Sequence, residues 1–124
     1  KVVERHDPVE VWGDGTAIKD LIFVEDMVDG ILLAMEKINT FMPINLGSGK
    51  QTSIREIVDS IIKTDGYQNA KIVFDPSKPT MLPKMLIDVS RAKKFLGFTA
   101  KTGVEDGIRK TIEWYRDTRS DIGK

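Results

Sequence analysis

The sequence predicts an α/β layer structure in which four helices alternate with short strands. Two observations predict this class: apolar residues recur at helical spacing in four separate stretches, and short runs of branched and aromatic residues lie between those stretches. Turns rich in glycine or proline separate the elements. Because 124 residues are enough for one core but few for a complete cofactor enzyme, we expect a single domain over residues 1–124.

The N-terminal part predicts two strands separated by a glycine turn. Residues 1–5 are typical of the last turn of a helix. After Asp7 and Pro8, residues 9–12 are typical of a short extended segment, because the residue before proline disfavours the α region. The glycines in residues 13–15 predict a turn, and the branched and aromatic residues of 18–24 predict a strand.

A helix is predicted to begin at Asp26, where the spacing of apolar residues changes to a helical period. Its apolar residues form one stripe, which we expect to be buried. The stripe comprises Val28, Ile31, Leu32 and Met35. Residues 43–46 then predict a short apolar strand, and the glycines of residues 47–49 predict a turn after it.

The next part of the chain predicts a capped helix, a strand and an irregular loop. Ser53 and Glu56 have the spacing of a capping box, and Gly66 is placed to end the helix that they begin. Residues 71–74 have the composition of a strand. Three prolines then exclude regular structure over residues 76–83.

The C-terminal part predicts two further helices. Residues 85–87 are expected to be extended, and Asp88 is placed to cap a short helix that Gly97 ends. Thr102 and Glu105 repeat the capping-box spacing ahead of the last helix. These two helices complete the predicted set of four.

Composition excludes several kinds of site and partner. The 19 basic and 19 acidic side chains cancel, so no overall field attracts nucleic acid or an anionic membrane. There is no cysteine, and His6 is the single histidine, which argues against thiolate chemistry and a multi-histidine metal site. No apolar run approaches the roughly 20 residues of a membrane span, and we see no leader. We therefore expect a soluble, cytoplasmic chain with no metal and with no nucleic-acid or membrane partner.

Three motifs occur in an order that resembles a known family. They are Val-Trp-Gly-Asp-Gly-Thr followed by Lys-Asp-Leu-Ile-Phe-Val-Glu-Asp-Met in residues 11–27, Ile-Asn-Leu-Gly-Ser-Gly in residues 44–49, and Asp-Val-Ser-Arg-Ala-Lys in residues 88–93. Together they resemble the C-terminal part of the extended short-chain dehydrogenases/reductases, the family of NAD-dependent nucleotide-sugar epimerases, reductases and dehydratases. Within that family, Trp12 with Gly13 and the segment 74–84 are most similar to the GDP-L-fucose synthases.

The resemblance implies a C-terminal substrate-binding part of an extended Rossmann-type enzyme, without its Rossmann half. That half would bind NAD or NADP and carry the catalytic residues, so we expect no catalytic or cofactor-binding residue in this chain and no activity from it alone. Tyr67 and Lys71 have the spacing of the family's catalytic Tyr-x-x-x-Lys pair. Because Gly66 precedes them and a strand begins near Lys71, we expect no shared helical face. The implied reaction of the intact enzyme is epimerisation and reduction of a 4-keto-6-deoxy sugar.

The resemblance also implies that the ligand is a nucleotide diphosphate-sugar, with GDP favoured, bound by Trp12, Lys19, Lys78 and Lys84. Lys19 stands where the family usually has an arginine that contacts the substrate diphosphate, and Lys84 stands where related sequences carry another basic residue. Lys78 lies in the proline-restrained loop, and Trp12 corresponds to a pocket-lining tryptophan. The structural alternatives, exposed lysines and a core tryptophan, stay open.

Two other functions fit the sequence. The chain can be a non-catalytic module that self-associates, because the apolar stripe of its first long helix would ordinarily cover a missing sheet. It can also be a regulatory ligand-binding domain. The expected protein partners are the Rossmann half of the same polypeptide and a second copy of the chain, since members of the family are commonly dimers.

Overall fold

The computed structural model describes residues 1–80 and 82–122 and confirms the α/β class. Within these residues, three α-helices and one short π-helical segment alternate with four short strands. The elements are β1 (Val9–Trp12), β2 (Ile18–Lys19), α1 (Val24–Lys37), β3 (Thr52–Ser53), α2 (Ile54–Asp65), β4 (Ile72–Asp75), the π-helical segment (Ala92–Leu96) and α3 (Val104–Ile122). The four predicted helices are therefore all present.

Two small strand pairs organise the molecule. Strands β1 and β4 are parallel, with Trp12 opposite Asp75, and β2 is antiparallel to β3. Lys84 forms an isolated parallel bridge with Ile18 and so attaches the proline-rich segment to the β2–β3 pair. Because parallel strands bring their carboxyl ends to one edge, the turn after Trp12 and the loop after Asp75 lie side by side.

The buried core lies between α1 and the π-helical segment. Ala92, Leu96 and Phe98 are almost completely buried and form its centre. Side chains from α1 and from residues 43–46 pack against this centre, and α2 packs against α3 elsewhere in the molecule. The core is therefore small for a chain of 124 residues.

The stripe of α1 is exposed, so the prediction that this chain buries it was wrong, whereas the alternative in which the stripe covers a missing sheet predicts this exposure. Val28, Ile31, Leu32 and Met35 expose 47, 48, 56 and 74% of their surface. The opposite side of α1 faces the core, through the buried Gly30 and the partly buried Leu33 and Ala34. The spacing of apolar residues identified the helix. However, α1 has a second side of small and apolar residues, and this second side is the one that the rest of the chain covers.

No helix in the described residues is long and apolar enough to cross a membrane.

The N-terminal segment has the hydrogen bonds of a helix C-terminus, which agrees with the last helical turn that the sequence predicted. The His6 N–H donates to the Lys1 carbonyl at 3.1 Å and the Arg5 N–H donates to the Val2 carbonyl at 2.9 Å, while Arg5 has a left-handed φ of 59°. This pair of hydrogen bonds is the Schellman motif that closes helices. The Arg5 side chain is held by the carboxylate of Asp65 at the end of α2. No local pattern signals this long-range ion pair.

Two strand predictions were wrong in extent. Of residues 18–24, only 18 and 19 form a strand, since α1 already begins at Val24. Residues 43–46 form no strand, because among the described residues no other strand pairs with them. By contrast, β1 lies at the predicted residues, and β4 is displaced from its predicted position by one residue.

One of the two predicted capping boxes is present. The Ser53 hydroxyl accepts the Glu56 N–H at 3.2 Å, and the Glu56 carboxylate accepts the Ser53 N–H at 2.7 Å. The capping box predicted for Thr102 and the last helix was wrong. Helix α3 begins only at Val104, and the Thr102 N–H donates to the Asp26 carboxylate at 2.9 Å.

Glycines end two of the helices, as predicted. Gly66 follows α2 with a φ of 78°, and Gly97 follows the π-helical segment with a φ of 67°. Ahead of that segment, the Asp88 carboxylate accepts the Ser90 N–H at 2.9 Å. Tyr67 and Lys71 lie in the connection between α2 and β4, so they share no helical face, as predicted.

Candidate functional site

The candidate site is an open pocket at the carboxyl ends of β1 and β4, with a volume of about 530 Å³. One wall is the glycine turn after Trp12, and the other is the proline-rich loop after Asp75. Lys19 of β2 and the first residue of α2 complete the lining. Ligands of α/β proteins commonly bind at this end of parallel strands.

The glycine turn is shaped by close packing. Gly13 and Gly15 have φ values of 87° and 85°, and a side chain at either position would also collide with a side chain of β4 or of the loop that follows it. A Cβ atom at Gly13 would lie 2.5 Å from Thr80, and one at Gly15 would lie 2.6 Å from the Phe74 ring. The backbone of the turn can therefore approach the pocket closely.

Two aspartates fix the backbone at the edges of the pocket. The Asp14 carboxylate accepts the N–H and the hydroxyl of Thr16, at 2.9 and 2.7 Å. The Asp75 carboxylate accepts the N–H and the hydroxyl of Ser77, at 3.0 and 2.6 Å. The hydrogen bonds from Thr16 lower the pKa of Asp14, and those from Ser77 lower the pKa of Asp75. Both carboxylates are therefore engaged as structural acceptors and are charged at neutral pH.

Lys19 supplies a positive charge to the pocket. Lys19 lines the cavity, and its Nζ donates to the Leu82 carbonyl at 3.0 Å. An ammonium group has three N–H donors, so this bond leaves two of them for a ligand. The residue is partly buried, which strengthens its interaction with an anion relative to a fully solvated lysine.

Lys84 lies next to Lys19 in the backbone but on the other side of the strand pair. It is paired with Ile18, through hydrogen bonds of 2.8 and 3.0 Å between Ile18 and the residues that flank Lys84. Since side chains alternate between faces, Lys84 follows the face of Ile18, whereas Pro83 and Lys19 face the pocket. The side chains that line the cavity thus include Lys19 and not Lys84.

Lys78 occupies the rim of the same pocket. It is exposed and lies between Pro76 and Pro79, both of which line the cavity, but it is not itself among the described lining residues. The structure therefore brings Trp12 and Lys19 together in one cavity, leaves Lys78 at its edge and places the Lys84 side chain on the other face of the strand pair.

Trp12 lies on the outer face of β1 and is 56% exposed. It lines the pocket, and its indole N–H donates to the Glu10 carboxylate at 3.1 Å. The alternative interpretation of Trp12 as a core residue was therefore wrong. An exposed indole at a pocket offers a flat apolar surface on which a base or a sugar can stack.

Two positioning residues were missed by the sequence analysis. The Arg55 guanidinium lies 4.1 Å from the centroid of the Phe74 ring and donates to the Asp14 carbonyl at 3.1 Å. The Asp20 carboxylate accepts the N–H groups of Ser48 and Gly49, at 2.8 and 2.9 Å. Each joins segments that are distant in the sequence, and no local pattern signals such pairs.

Another cavity of about 550 Å³ lies between α1 and residues 97–101. Its lining contains Asp26, Asp29 and Glu36 against a single lysine, Lys101, which disfavours an anionic ligand. Within the described residues, no group of three acidic, histidine or cysteine side chains is arranged to hold a metal ion. The pocket beside Lys19 is therefore the better candidate for an anion.

Comparison with known proteins extends this description. Residues 2–111 match the family model described as GDP-mannose 4,6 dehydratase. The chain is similar to the GDP-L-fucose synthase of Escherichia coli K12, with 33% identity over 90% of this chain and 37% of that protein. The chain spans about a third of the length of the curated relatives it matches.

Solved structures show the same arrangement of elements. The UDP-glucose 4-epimerase of Thermotoga maritima, determined with UDP-glucose, matches 95% of this chain and 38% of its own, with 30% identity and a TM-score of 0.84. The UDP-glucose 4-epimerase of Bifidobacterium longum, determined with NAD+ and UDP, covers the same shares with 25% identity and a TM-score of 0.83. The chain belongs to the GDP-mannose 4,6 dehydratase family, among the NAD-dependent nucleotide-sugar epimerases and dehydratases of the short-chain dehydrogenase/reductase type, as its motifs predicted.

Proposed function

We propose that this chain is the C-terminal, nucleotide-sugar-binding part of a larger NAD(P)-dependent epimerase or reductase. The observation that carries the proposal is the pairing of Lys19 and Trp12 in one pocket at the carboxyl ends of β1 and β4. The Lys19 ammonium group has two N–H donors left for a ligand, and the Trp12 indole is exposed. A cation and an aromatic face at one site suit a ligand that joins a diphosphate to a base and a sugar.

The electrostatics of the pocket support a diphosphate. Lys19 lies inside the pocket, and Lys78 at its rim adds positive potential. The nearby Asp14 and Asp75 keep their negative charges, but their oxygens are engaged by hydrogen bonds from Thr16 and Ser77.

NAD or NADP is proposed to bind mainly to the remaining part of the polypeptide, where it would supply hydride transfer. Among the described residues, the glycine turn at 47–49 is the segment most similar to a phosphate-binding loop. The N–H groups of Ser48 and Gly49 already donate to Asp20, so they are not available to a pyrophosphate. Support for the cofactor comes from the Bifidobacterium longum relative, whose structure contains NAD+.

For the whole protein we propose epimerisation and reduction of a GDP-linked 4-keto-6-deoxy sugar. The support is the likeness to the Escherichia coli GDP-L-fucose synthase, while the likeness to UDP-glucose epimerases supports the broader class of nucleotide-sugars. In this reaction the residues of the pocket would bind and orient the nucleotide-sugar. Lys19 would neutralise the diphosphate, and Trp12 would cover a face of the ligand.

Calorimetric titration of the chain with GDP, UDP and dTDP tests the proposal. We expect Lys19→Ala to weaken GDP binding about 10- to 100-fold, because a charge-assisted hydrogen bond contributes about 1.5–3 kcal/mol. Lys19→Arg should keep or strengthen binding, since a guanidinium can hold a phosphate with two hydrogen bonds. Lys63→Ala is the matched control, because Lys63 pairs with Glu105 on a distant surface.

The titration also compares Lys78, at the rim of the pocket, with Lys84, on the other face of the strand pair. Lys78→Ala and Lys84→Ala should each weaken GDP binding by less than Lys19→Ala, because neither side chain lines the cavity. Absence of nucleotide binding, or GDP binding that Lys19→Ala leaves unchanged, would contradict the proposed site.

A second function is favoured by the exposed stripe of α1. The apolar side chains of this stripe are about half exposed or more, while the other side of α1 faces the core. An exposed apolar stripe of this kind is typical of a surface that another protein segment covers. In the proposed enzyme this segment belongs to the remaining part of the same polypeptide. In the chain alone, the stripe would make it a self-associating, non-catalytic module.

A further inference from the structure

We infer that Glu10 makes the pocket select guanine nucleotides over uracil nucleotides. The inference rests on the nucleotide binding proposed above and adds the residue that reads the base. Glu10 precedes Trp12 by two positions on β1, so their side chains lie on the same face of the strand. The intervening Val11 and the buried Val9 face the other way.

The carboxylate of Glu10 lies at the edge of the indole, and Glu10 itself is not among the residues that line the cavity. The Trp12 Nε1–H donates to Glu10 Oε1 at 3.1 Å. Lys1 donates to the Glu10 carbonyl at 3.0 Å and not to its carboxylate. A carboxylate has about four acceptor positions, and the indole uses one of them. Acceptors therefore remain at a defined place beside the aromatic surface.

A base that stacks on Trp12 would present its edge to this carboxylate. Guanine carries two adjacent donors on its pairing edge, N1–H and the 2-amino group, and a carboxylate can accept both in parallel. Uracil has one donor, N3–H, between two carbonyl oxygens that the carboxylate repels. A site built around hydrogen bonds to donors rejects a ligand that lacks them.

The charge of Glu10 gives a second reason. A carboxylate beside a pocket for a diphosphate repels every nucleotide. Hydrogen bonds to the base offset this repulsion for guanine, and they offset much less of it for uracil. The same side chain therefore favours one base and disfavours the other, which is how specificity arises from affinity differences.

The test is calorimetric titration of the chain with GDP, IDP and UDP, where IDP lacks only the 2-amino group of GDP. For the unmodified chain we expect GDP to bind about tenfold more tightly than UDP, with IDP between them. Glu10→Gln should bring the GDP-to-UDP ratio close to one, partly by strengthening UDP binding. Trp12→Phe keeps a stacking surface but removes the N–H, so it should lower the ratio while retaining nucleotide binding.

Glu36→Gln is the matched control, because Glu36 is an exposed glutamate on α1 that lines a different cavity. Circular dichroism verifies that each variant is folded. If nucleotides bind and Lys19→Ala weakens them, but Glu10→Gln leaves the GDP-to-UDP ratio unchanged, the inference is overturned and the proposed function stands. If the unmodified chain binds no nucleotide, the proposed function and the inference fail together.

Discussion

Asp65 is a single carboxylate that joins three parts of the molecule. Its side chain is completely buried at the last residue of α2 and contacts Arg5 of the N-terminal turn and Arg116 of α3, the latter at 2.6 Å. A negative charge at the C-terminal end of a helix opposes the helix dipole. The two guanidinium groups compensate for this position and for the loss of solvent around the carboxylate.

Neutralising Asp65 should therefore destabilise the fold. We expect Asp65→Asn to lower the free energy of unfolding by about 2–3 kcal/mol, because charge-assisted hydrogen bonds to a buried group are lost. Urea denaturation followed by circular dichroism measures the change. Asp59→Asn, at an exposed position of the same helix, should stay within about 0.5 kcal/mol. Equal urea midpoints for the two variants would show that the ion pairs of Asp65 with the half-exposed Arg5 and Arg116 contribute little to stability.

Asp26 predicts a dependence of stability on pH. Its side chain is buried, which by itself raises its pKa, but hydrogen bonds from Thr102 and Lys101 outweigh burial and hold the pKa below its ordinary value. A carboxyl whose pKa is lower in the folded state stabilises the protein above its unfolded pKa of about 4. That contribution is lost as the pH falls from about 4 through the lower folded pKa.

The pH dependence can be measured by urea denaturation at pH 7, 4 and 2.5. Asp26→Asn should be less stable than the unmodified chain at pH 7 and should lose less stability on acidification. Asp29→Asn, an exposed neighbour on α1, is the control and should keep the original dependence. If both variants lose stability in parallel with the unmodified chain, the buried carboxylate does not set the acid response.

At the scale of residues, motifs predicted part of the candidate site. Trp12 and Lys19 belong to one continuous motif and lie in one pocket. Glu10, Arg55 and Asp20 were not predicted, because their roles depend on partners that only the fold brings near. Arg55, for example, contacts a turn 41 residues earlier in the chain. Local spacing contains no information about such contacts.

At the scale of elements, a capping pattern predicts a helix start only when no distant group competes for it. Ser53 and Glu56 satisfy each other, and α2 begins directly after Ser53. Thr102 has the same local pattern, but its N–H is taken by Asp26, 76 residues away. Similarly, apolar spacing identified α1 without showing which of its sides this chain covers. A strand at 43–46 could not form without a partner strand among the described residues.

The capping box of α2 should contribute measurably to stability. We expect Ser53→Ala to lower the free energy of unfolding by about 1 kcal/mol, because the Glu56 N–H loses its acceptor at the start of the helix. Ser60→Ala, in the interior of α2, should be neutral or stabilising, since alanine favours helix. Urea denaturation compares the two. A loss as large for Ser60→Ala as for Ser53→Ala would show that capping is not the cause.

At the scale of the whole molecule, the distribution of apolar surface is uneven. Few side chains are fully buried, whereas α1 exposes Val24, Val28, Ile31, Leu32 and Met35 on one side. The chain also spans about a third of the length of its curated relatives. Both facts are consistent with a substrate-binding part whose α1 is covered by a further segment of the enzyme. In the isolated chain, this apolar surface either stays in contact with water or packs against another copy of the chain.

We therefore expect the isolated chain to self-associate through α1. Light scattering over a range of concentrations should show a mass that rises above that of a monomer, because burial of the stripe removes apolar surface from water. Leu32→Lys places a charge in the middle of the stripe and should shift the chain to a monomer. Val73→Lys makes the same kind of change at an exposed residue of β4 and should not. A monomeric mass at the highest concentration would contradict self-association, and α1 would then remain a surface for the rest of the polypeptide alone.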